Sequence, residues 1–119
     1  MSQPIEFREV TSDEEASFLK PGADDALHIV LFCQADSPVV QKARRLVPEV
    51  DIPADWDFTI LDTDGVDEIA NWYGLTDASG MAVISDGSLL TIEYECSVDA
   101  LRRLIDVAQK QSDALSALG

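Results

Sequence analysis

Residues 27–50 read LHIVLFCQADSPVVQKARRLVPEV, and this stretch decides the fold. It begins with a continuous apolar run over 27–33, which is typical of a strand that is covered on both faces. Ser37 is a good N-cap residue and Pro38 a good first helical residue, so a helix is predicted to begin there. Pro48 should end or kink that helix. In an α/β protein, the loop between such a strand and helix is where a site is expected.

The elements on either side complete an α/β order. A short first strand or extended arm is predicted around Phe7 and Val10, and a capping box at Ser12 predicts a helix over 13–20. A strand over 58–61 should run parallel to the first buried strand, because a helix separates the two. The later elements are a helix over 66–73 that ends at Gly74, a hairpin of strands 81–85 and 88–94 with Asp86-Gly87 at its turn, and a long helix capped by Ser97 or Asp99.

Length and composition predict one domain. The chain has 119 residues, of which 46% are hydrophobic, and this is enough for a core. We therefore predict a single domain over 1–119, with its core at about 27–109 and a helical extension or tail over 110–119. Because no apolar run approaches the ~20 residues of a membrane span and no signal peptide is visible, we expect a cytoplasmic location and no membrane partner.

The chain is strongly acidic. It has 23 Asp and Glu residues against 8 Lys and Arg, which gives a net charge of −15. Three interpretations stay open: solubility or adaptation to a salty cytoplasm, where repulsion is screened; recognition of a basic partner; and mimicry of nucleic acid. Nucleic-acid binding is disfavoured, because no cluster of Lys and Arg is available to neutralise phosphates.

Few residues carry reactive chemistry. Cys33 and Cys96 have neither the spacing of a C-x-x-C motif nor that of zinc ligands. The single His28 lies inside the apolar strand, which favours a structural role. The acidic pairs of the turns match no metal-binding loop, so we predict no metal and no cofactor.

The order of elements and several local motifs resemble the thioredoxin-like superfamily. DTD at 62–64, WYGL at 72–75 and the hairpin through DG at 86–87 are similar to the C-terminal half of thioredoxins. The resemblance extends over about 27–109. It implies an α/β, thioredoxin-like three-layer sandwich, with a central mixed β-sheet and helices on both faces.

The same resemblance implies that this is a degenerate member. The C-x-x-C motif of the family falls on SPVV at 37–40, so both sulfurs are absent from that position. The buried carboxylate of the family falls on Leu31, the tryptophan before its motif on Cys33, and its cis-proline on Ser79. Dithiol exchange needs two sulfurs within reach of each other, so this activity is not expected at the family's site.

A degenerate member can lose the sulfurs and keep the peptide-binding groove of the fold. The predicted function is therefore a redox-inactive, chaperone-like adaptor or binding module for a protein or peptide. Acidic groove edges favour a basic partner. The thioredoxin-like hydrogenase-maturation chaperones also lack the thiol pair, although they tend to keep the cis-proline. The predicted groove consists of Asp36, Ser37, Pro38, Val39, Val40, Ala78, Ser79, Gly80, Glu95 and Cys96.

Two alternatives remain open. Cys33 could act as a single redox thiol, since it lies near the catalytic loop of the family, although free cysteines in strands are mostly inert core residues. A disulfide between Cys33 and Cys96 is conceivable but unexpected in a reducing cytoplasm. The chain could also be a structural subunit that forms a homodimer through its C-terminal helix.

Overall fold

The structure, a computed structural model, describes residues 7–19, 27–34, 37–52, 56–74, 80–85 and 88–118. The strands in this part of the chain are β1 (Phe7–Val10), β2 (His28–Cys33), β3 (Asp57–Asp62), β4 (Gly80–Ser85) and β5 (Ser88–Glu93). The helices are α1 (Pro38–Leu46), α2 (Asp67–Trp72) and α3 (Val98–Leu118). The strands form one mixed sheet in the order β1-β3-β2-β4-β5.

Strand β2 lies at the centre of this sheet, as its apolar sequence predicts. It pairs in parallel with β3 and antiparallel with β4, and all of its residues are buried. A strand with neighbours on both edges and layers on both faces has no side that is open to water, which explains the uninterrupted apolar run. The predicted parallel pair and antiparallel hairpin are confirmed.

A hydrophobic layer covers each face of the sheet. On one face, Leu46 of α1 and Leu104 of α3 pack with Leu31, and we call this the α1–α3 layer. On the other face, Ile69 of α2 packs with Phe32, and we call this the α2 layer. Neighbouring residues of β2 thus enter opposite layers, as the pleat of a strand requires. The predicted sandwich with helices on both faces is confirmed.

Helix α1 begins and ends where the sequence predicts. Ser37 has an extended backbone, and its Oγ accepts a hydrogen bond of 3.3 Å from the Val39 amide. This bond satisfies one of the amides that a first helical turn leaves without a partner. Pro48 lies in a short 3₁₀ turn, Val47–Glu49, that directly follows the helix.

The helix predicted over 13–20 is wrong. The structure has a turn followed by a single 3₁₀ turn, Ser17–Leu19, and Lys20 lies outside the described residues. One of the two bonds of the capping box does form, because the Glu15 amide donates to Ser12 Oγ at 3.3 Å. The local signal was therefore correct, but it does not propagate into a helix.

Long-range hydrogen bonds explain why this segment stays compact. The Asp13 carboxylate accepts from the Ile69 amide at 3.3 Å, and so caps the first turn of α2. The Leu19 carbonyl accepts from the Tyr73 hydroxyl at 2.9 Å. A helix this short is marginal on its own, so these contacts decide its conformation.

Two glycines fix turns next to α2. A Cβ atom on Gly65 would lie 2.1 Å from the Thr11 carbonyl oxygen, so only glycine fits this close approach of two backbones. Gly74 has a φ of 72° and ends the segment after α2, as the sequence predicts.

Helix α3 packs over the hairpin of β4 and β5. Its N-cap is Ser97, whose Oγ accepts from the Ala100 amide at 3.1 Å. Further along, Gln111 donates from Nε2 to the Leu90 carbonyl at 2.9 Å, on the edge strand of the sheet. The helix continues to Leu118, so the C-terminal extension is helical. Among the described helices, none is long and apolar enough to cross a membrane.

Candidate functional site

The first part of the predicted groove lies where β2 ends and α1 begins. Cys33 is the last residue of β2, and Ser37 opens α1. Val39 and Val40 of the first turn are half-buried and pack against the α1–α3 layer. Because Ser37 Oγ caps the Val39 amide, its geometry is that of an N-cap residue.

The second part is the segment between β5 and α3. Cys96 is buried in the α1–α3 layer, against which Val39 and Val40 also pack. Burial raises the pKa of Cys96, and Lys42 of α1 opposes part of this rise. The start of α1 and Cys96 therefore border the same layer.

Gly80 lies at the same end of the sheet. It is the first residue of β4 and pairs with Phe32 of β2. A Cβ atom on Gly80 would lie 3.5 Å from Cδ1 of Tyr94. Three other predicted groove residues, Asp36, Ala78 and Ser79, lie outside the described residues.

Tyr94 is the residue that sequence reasoning missed. The sequence predicts it as the last residue of the returning strand, but β5 ends at Glu93 and leaves Tyr94 66% exposed beside Gly80. Tyrosine is enriched at protein interfaces, because it offers a large apolar surface and a polar tip. The signal that could have found it is its place at the end of a strand, next to Glu95 and Cys96.

Both thiols are protonated at neutral pH. Burial raises the pKa of Cys33 to about 11, and the nearby Asp62 and Cys96 add to this shift. Burial also raises the pKa of Cys96, against the smaller opposite effect of Lys42. Since the thiolate is the nucleophile, neither sulfur is activated for attack.

The charges beside Cys96 are partly balanced. Arg103 of α3 donates from Nε to the Glu93 carboxylate at 2.6 Å, and its Nη2 lies 3.8 Å from Glu95. Lys42 adds a second cation near the site. The described groove edge is therefore less acidic than its sequence alone implies.

Another cluster of charged residues lies at the opposite end of β2. His28 Nδ1 lies 2.9 Å and 3.0 Å from the two carboxylate oxygens of Asp57. The Arg8 guanidinium lies 3.6 Å from the same carboxylate, and the rings of Phe18 and His28 form a T-shaped pair with centroids 5.0 Å apart. No group of three or more metal-ligating side chains occurs among the residues that the structure describes.

Comparison with known proteins identifies the fold. No family model matches the chain, and no curated protein matches it. Among solved structures, a thioredoxin mutant from Halobacterium salinarum is 20% identical with a TM-score of 0.66, and the match covers 89% of this chain and 93% of that one. The thioredoxin of Malassezia sympodialis is 15% identical with a TM-score of 0.70, over 89% and 93% of the two chains.

A third neighbour agrees with these two. The thioredoxin of Schistosoma mansoni is 18% identical with a TM-score of 0.66, over 85% of this chain and 94% of that one. At such identities the likeness is one of fold. The chain has an α/β, thioredoxin-like fold.

Proposed function

We propose that this thioredoxin-like chain is a redox-inactive binding module, or chaperone-like adaptor, for a basic protein or peptide. One observation carries the proposal. The turn that opens α1 consists of Ser37, Pro38, Val39 and Val40, and Ser37 Oγ is used to cap the helix. A chain without sulfur at this turn keeps the surface of the fold but has no dithiol there to exchange.

The state of the two cysteines supports the absence of thiol catalysis. Cys33 is 1% exposed, and its pKa of about 11 leaves only a very small thiolate fraction at neutral pH. Cys96 is also buried, with a raised pKa. Reactive cysteines are instead partly exposed and have a lowered pKa.

The residues around the start of α1 are suited to hold an extended peptide. Half-buried Val39 and Val40 offer apolar contact, and Tyr94 adds an exposed aromatic ring beside Gly80. Backbone groups at such a place can pair with an extended segment as an added strand does. The proposed groove comprises Asp36, Ser37, Pro38, Val39, Val40, Ala78, Ser79, Gly80, Tyr94, Glu95 and Cys96.

The preference for a basic partner rests on the charge of the whole chain. Arg103 shares Glu95, so the local groove edge is only mildly acidic. The net charge of −15 nevertheless creates a negative field that steers cations toward the surface and raises their association rate. We therefore expect the groove to determine where the partner binds, and the field to determine which partners approach.

Matched charge reversals test this proposal. Binding of an array of extended Lys- and Arg-containing peptides would be compared for Tyr94→Ala, Glu95→Lys and Asp113→Lys. Glu95 and Asp113 are both exposed acidic residues, so replacing either one with Lys changes the net charge equally. Asp113 lies on α3, away from the groove. We expect the two groove variants to weaken binding about tenfold, or about 1.4 kcal/mol, and Asp113→Lys to have little effect. Equal loss in both reversals would mean non-specific attraction, and no binding by the unchanged chain would contradict the proposal.

A reductase assay tests the redox part separately. The purified chain should reduce insulin disulfides no faster than a blank without protein, because no activated thiol is present. Activity that disappears in Cys33→Ser would instead establish the single-thiol alternative.

A further inference from the structure

The sheet has two edge strands, β1 and β5, and they differ in length and charge. Strand β1 has four residues, and its exposed Arg8 and Glu9 are charges of the kind that discourage pairing with another strand. Strand β5 has six residues, of which Glu93 alone is charged. None of these six residues is buried, whereas five of the six residues of β4 are. The outer edge of β5 is therefore long, accessible and nearly free of charge.

A bulge makes the side-chain pattern of β5 suitable for pairing with a copy of itself. The ladder with β4 passes from Leu89 to Thr91 and leaves out Leu90. As a result, Leu89 and Ile92 both pack against the α2 layer, although they are three residues apart. Leu90 packs instead against the α1–α3 layer, and Glu93 is bonded to α3 on that face. An antiparallel second β5 can therefore place its Ile92 opposite Leu89 on the same face, as a cross-strand pair requires.

Helix α3 extends this surface on one face of the sheet. Arg103 and Gln111 of α3 both donate hydrogen bonds to residues of β5. Val107 lies between them at a spacing of four residues, and therefore on the same side of the helix. It is 39% exposed, and Tyr94, which directly follows β5, is the other large apolar side chain that is exposed in the described part of the chain. Both exposed apolar side chains thus border β5.

The charges at this edge permit a second copy to approach. Two chains with a net charge of −15 repel each other, so they can associate only through a surface of low net charge. At β5, Arg103 bonds to Glu93 at 2.6 Å, and on the neighbouring turns of α3 Lys110 lies 3.0 Å from Asp106. In the antiparallel register described above, Glu93 would lie opposite Ser88 of the second copy, and not opposite another carboxylate. A second β5 therefore matches this edge in both charge and apolar pattern.

We propose that the outer edge of β5 is a homodimer interface, at which β5 of a second copy pairs antiparallel and joins the two sheets into one. The pairing has two-fold symmetry about a point between residues 90 and 91, as expected for a dimer of identical chains. Both α3 helices then lie on the same face of the joined sheet, and Val107 of each copy lies near the symmetry axis. The proposal depends on β5 and the middle of α3, and does not rest on the proposed function of the groove.

Sedimentation velocity of the full-length chain tests the interface. The chain is measured over a range of concentrations in about 0.1 M and about 1 M salt, where the Debye length is about 10 Å and about 3 Å. We expect a concentration-dependent dimer that is tighter in the higher salt, because repulsion between the copies is screened. Val107→Lys should weaken the dimer at least about tenfold, since it places two like charges near the axis. Gln41→Lys, at an exposed position of α1, changes the net charge equally and should leave the dimer intact.

Hydrogen exchange of the unchanged chain locates the interface without any variant. The amides of β5 should exchange more slowly as the protein concentration rises, whereas those of the other edge strand, β1, should not change. A chain that stays monomeric in both salts, a dimer that both Lys variants weaken equally or that neither weakens, and β5 amides that do not respond to concentration would each overturn the proposal. Slower exchange of β5 only after a peptide is added would assign this edge to a strand of another protein, and would also overturn it. A dimer without any peptide binding would contradict only the proposed function.

Discussion

The paired strands β2 and β3 have a carboxylate at each end, with opposite effects on the neighbouring residue. His28 is paired with Asp57 where the strands begin, and Cys33 with Asp62 where they end. Asp57 accepts a hydrogen bond from the His28 imidazole at 2.9 Å, whereas burial raises the pKa of the Cys33 thiol and Asp62 adds to this rise. A carboxylate stabilises a hydrogen-bond donor and opposes the formation of a second anion. A carboxylate at the end of a strand therefore supports a neighbouring hydrogen-bond donor and opposes the ionisation of a neighbouring thiol.

The two ends are also held together by different means. At the start of the strands, side chains make the contacts, as between Arg8 and Asp57. Beyond the other end, two backbones meet directly at Gly65 and Thr11. Side chains can change rotamer to absorb a substitution, but a close backbone contact has no such freedom. Substitutions where β2 and β3 end should therefore lower the free energy of unfolding more than substitutions where these strands begin.

The largest effect is expected from Gly65→Ala. The new Cβ atom would lie 2.1 Å from the Thr11 carbonyl oxygen, and one of the two backbones would have to shift. We expect the free energy of unfolding to fall by more than about 3 kcal/mol, as measured by denaturant titration. Gly74→Ala is the matched control: φ is 72° but no atom lies within 4 Å, so the cost should be about 1 kcal/mol. Equal costs would show that the close approach to the Thr11 backbone is not what excludes a side chain at Gly65.

A smaller effect is expected from exchanging the two carboxylates for amides. Asp57→Asn removes the charge that faces His28 and Arg8, and should lower the free energy of unfolding by about 2 kcal/mol. Asp62→Asn should be nearly neutral, because an amide oxygen can still accept from the Asp64 amide, which now donates to Asp62 at 3.0 Å. Denaturant titration of both variants measures the difference. A loss for Asp62→Asn as large as that for Asp57→Asn would contradict the comparison.

The smallest effect is expected from alkaline titration. The pKa of Cys33 is 9.0 in the unfolded chain and about 11 in the folded chain. As the pH rises, the unfolded chain therefore loses this proton at a lower pH than the folded chain does. The thiol therefore does not reduce the free energy of unfolding below pH 9.0. As the pH rises from 9.0 toward 11, the free energy of unfolding falls, because the unfolded chain ionises the thiol more readily than the folded chain. At pH 10 the loss should be about 1 kcal/mol.

Cys33→Ala provides the control for this titration. Tyr73 and Cys96 also have raised pKa values, so both chains should lose some stability in alkali. The unchanged chain should lose more between pH 8 and pH 10 than Cys33→Ala does. Parallel curves would show that the thiol titrates equally in the folded and unfolded chains.

The sequence predicts those features that depend on neighbouring residues. The cap at Ser37 and the end of the segment at Gly74 are encoded within a few positions, and both form as expected. The apolar run of β2 also predicts its central place, because only a strand covered on both faces can be apolar throughout. Such signals were sufficient for the fold.

Features that depend on distant residues could not be predicted. The helix expected over 13–20 fails because Asp13 caps α2 instead, and nothing in the local sequence indicates that partner. The local sequence does not indicate the contact between Gly65 and Thr11 either. In the candidate site, the start of α1 was predictable from its cap, whereas the exposure of Tyr94 depends on where β5 ends.

The segment over 13–19 is joined to α2 by hydrogen bonds, and we expect these two parts to unfold as one cooperative unit. Helix α2, Asp67–Trp72, has six residues and is too short to persist alone. Asp13 holds its first turn, and Tyr73, just after its end, is bonded to Leu19. When the segment detaches, α2 loses its partners at both ends. The amide protons of α2 should therefore exchange with solvent at the rate at which the N-terminal segment opens, ahead of those in the central strands.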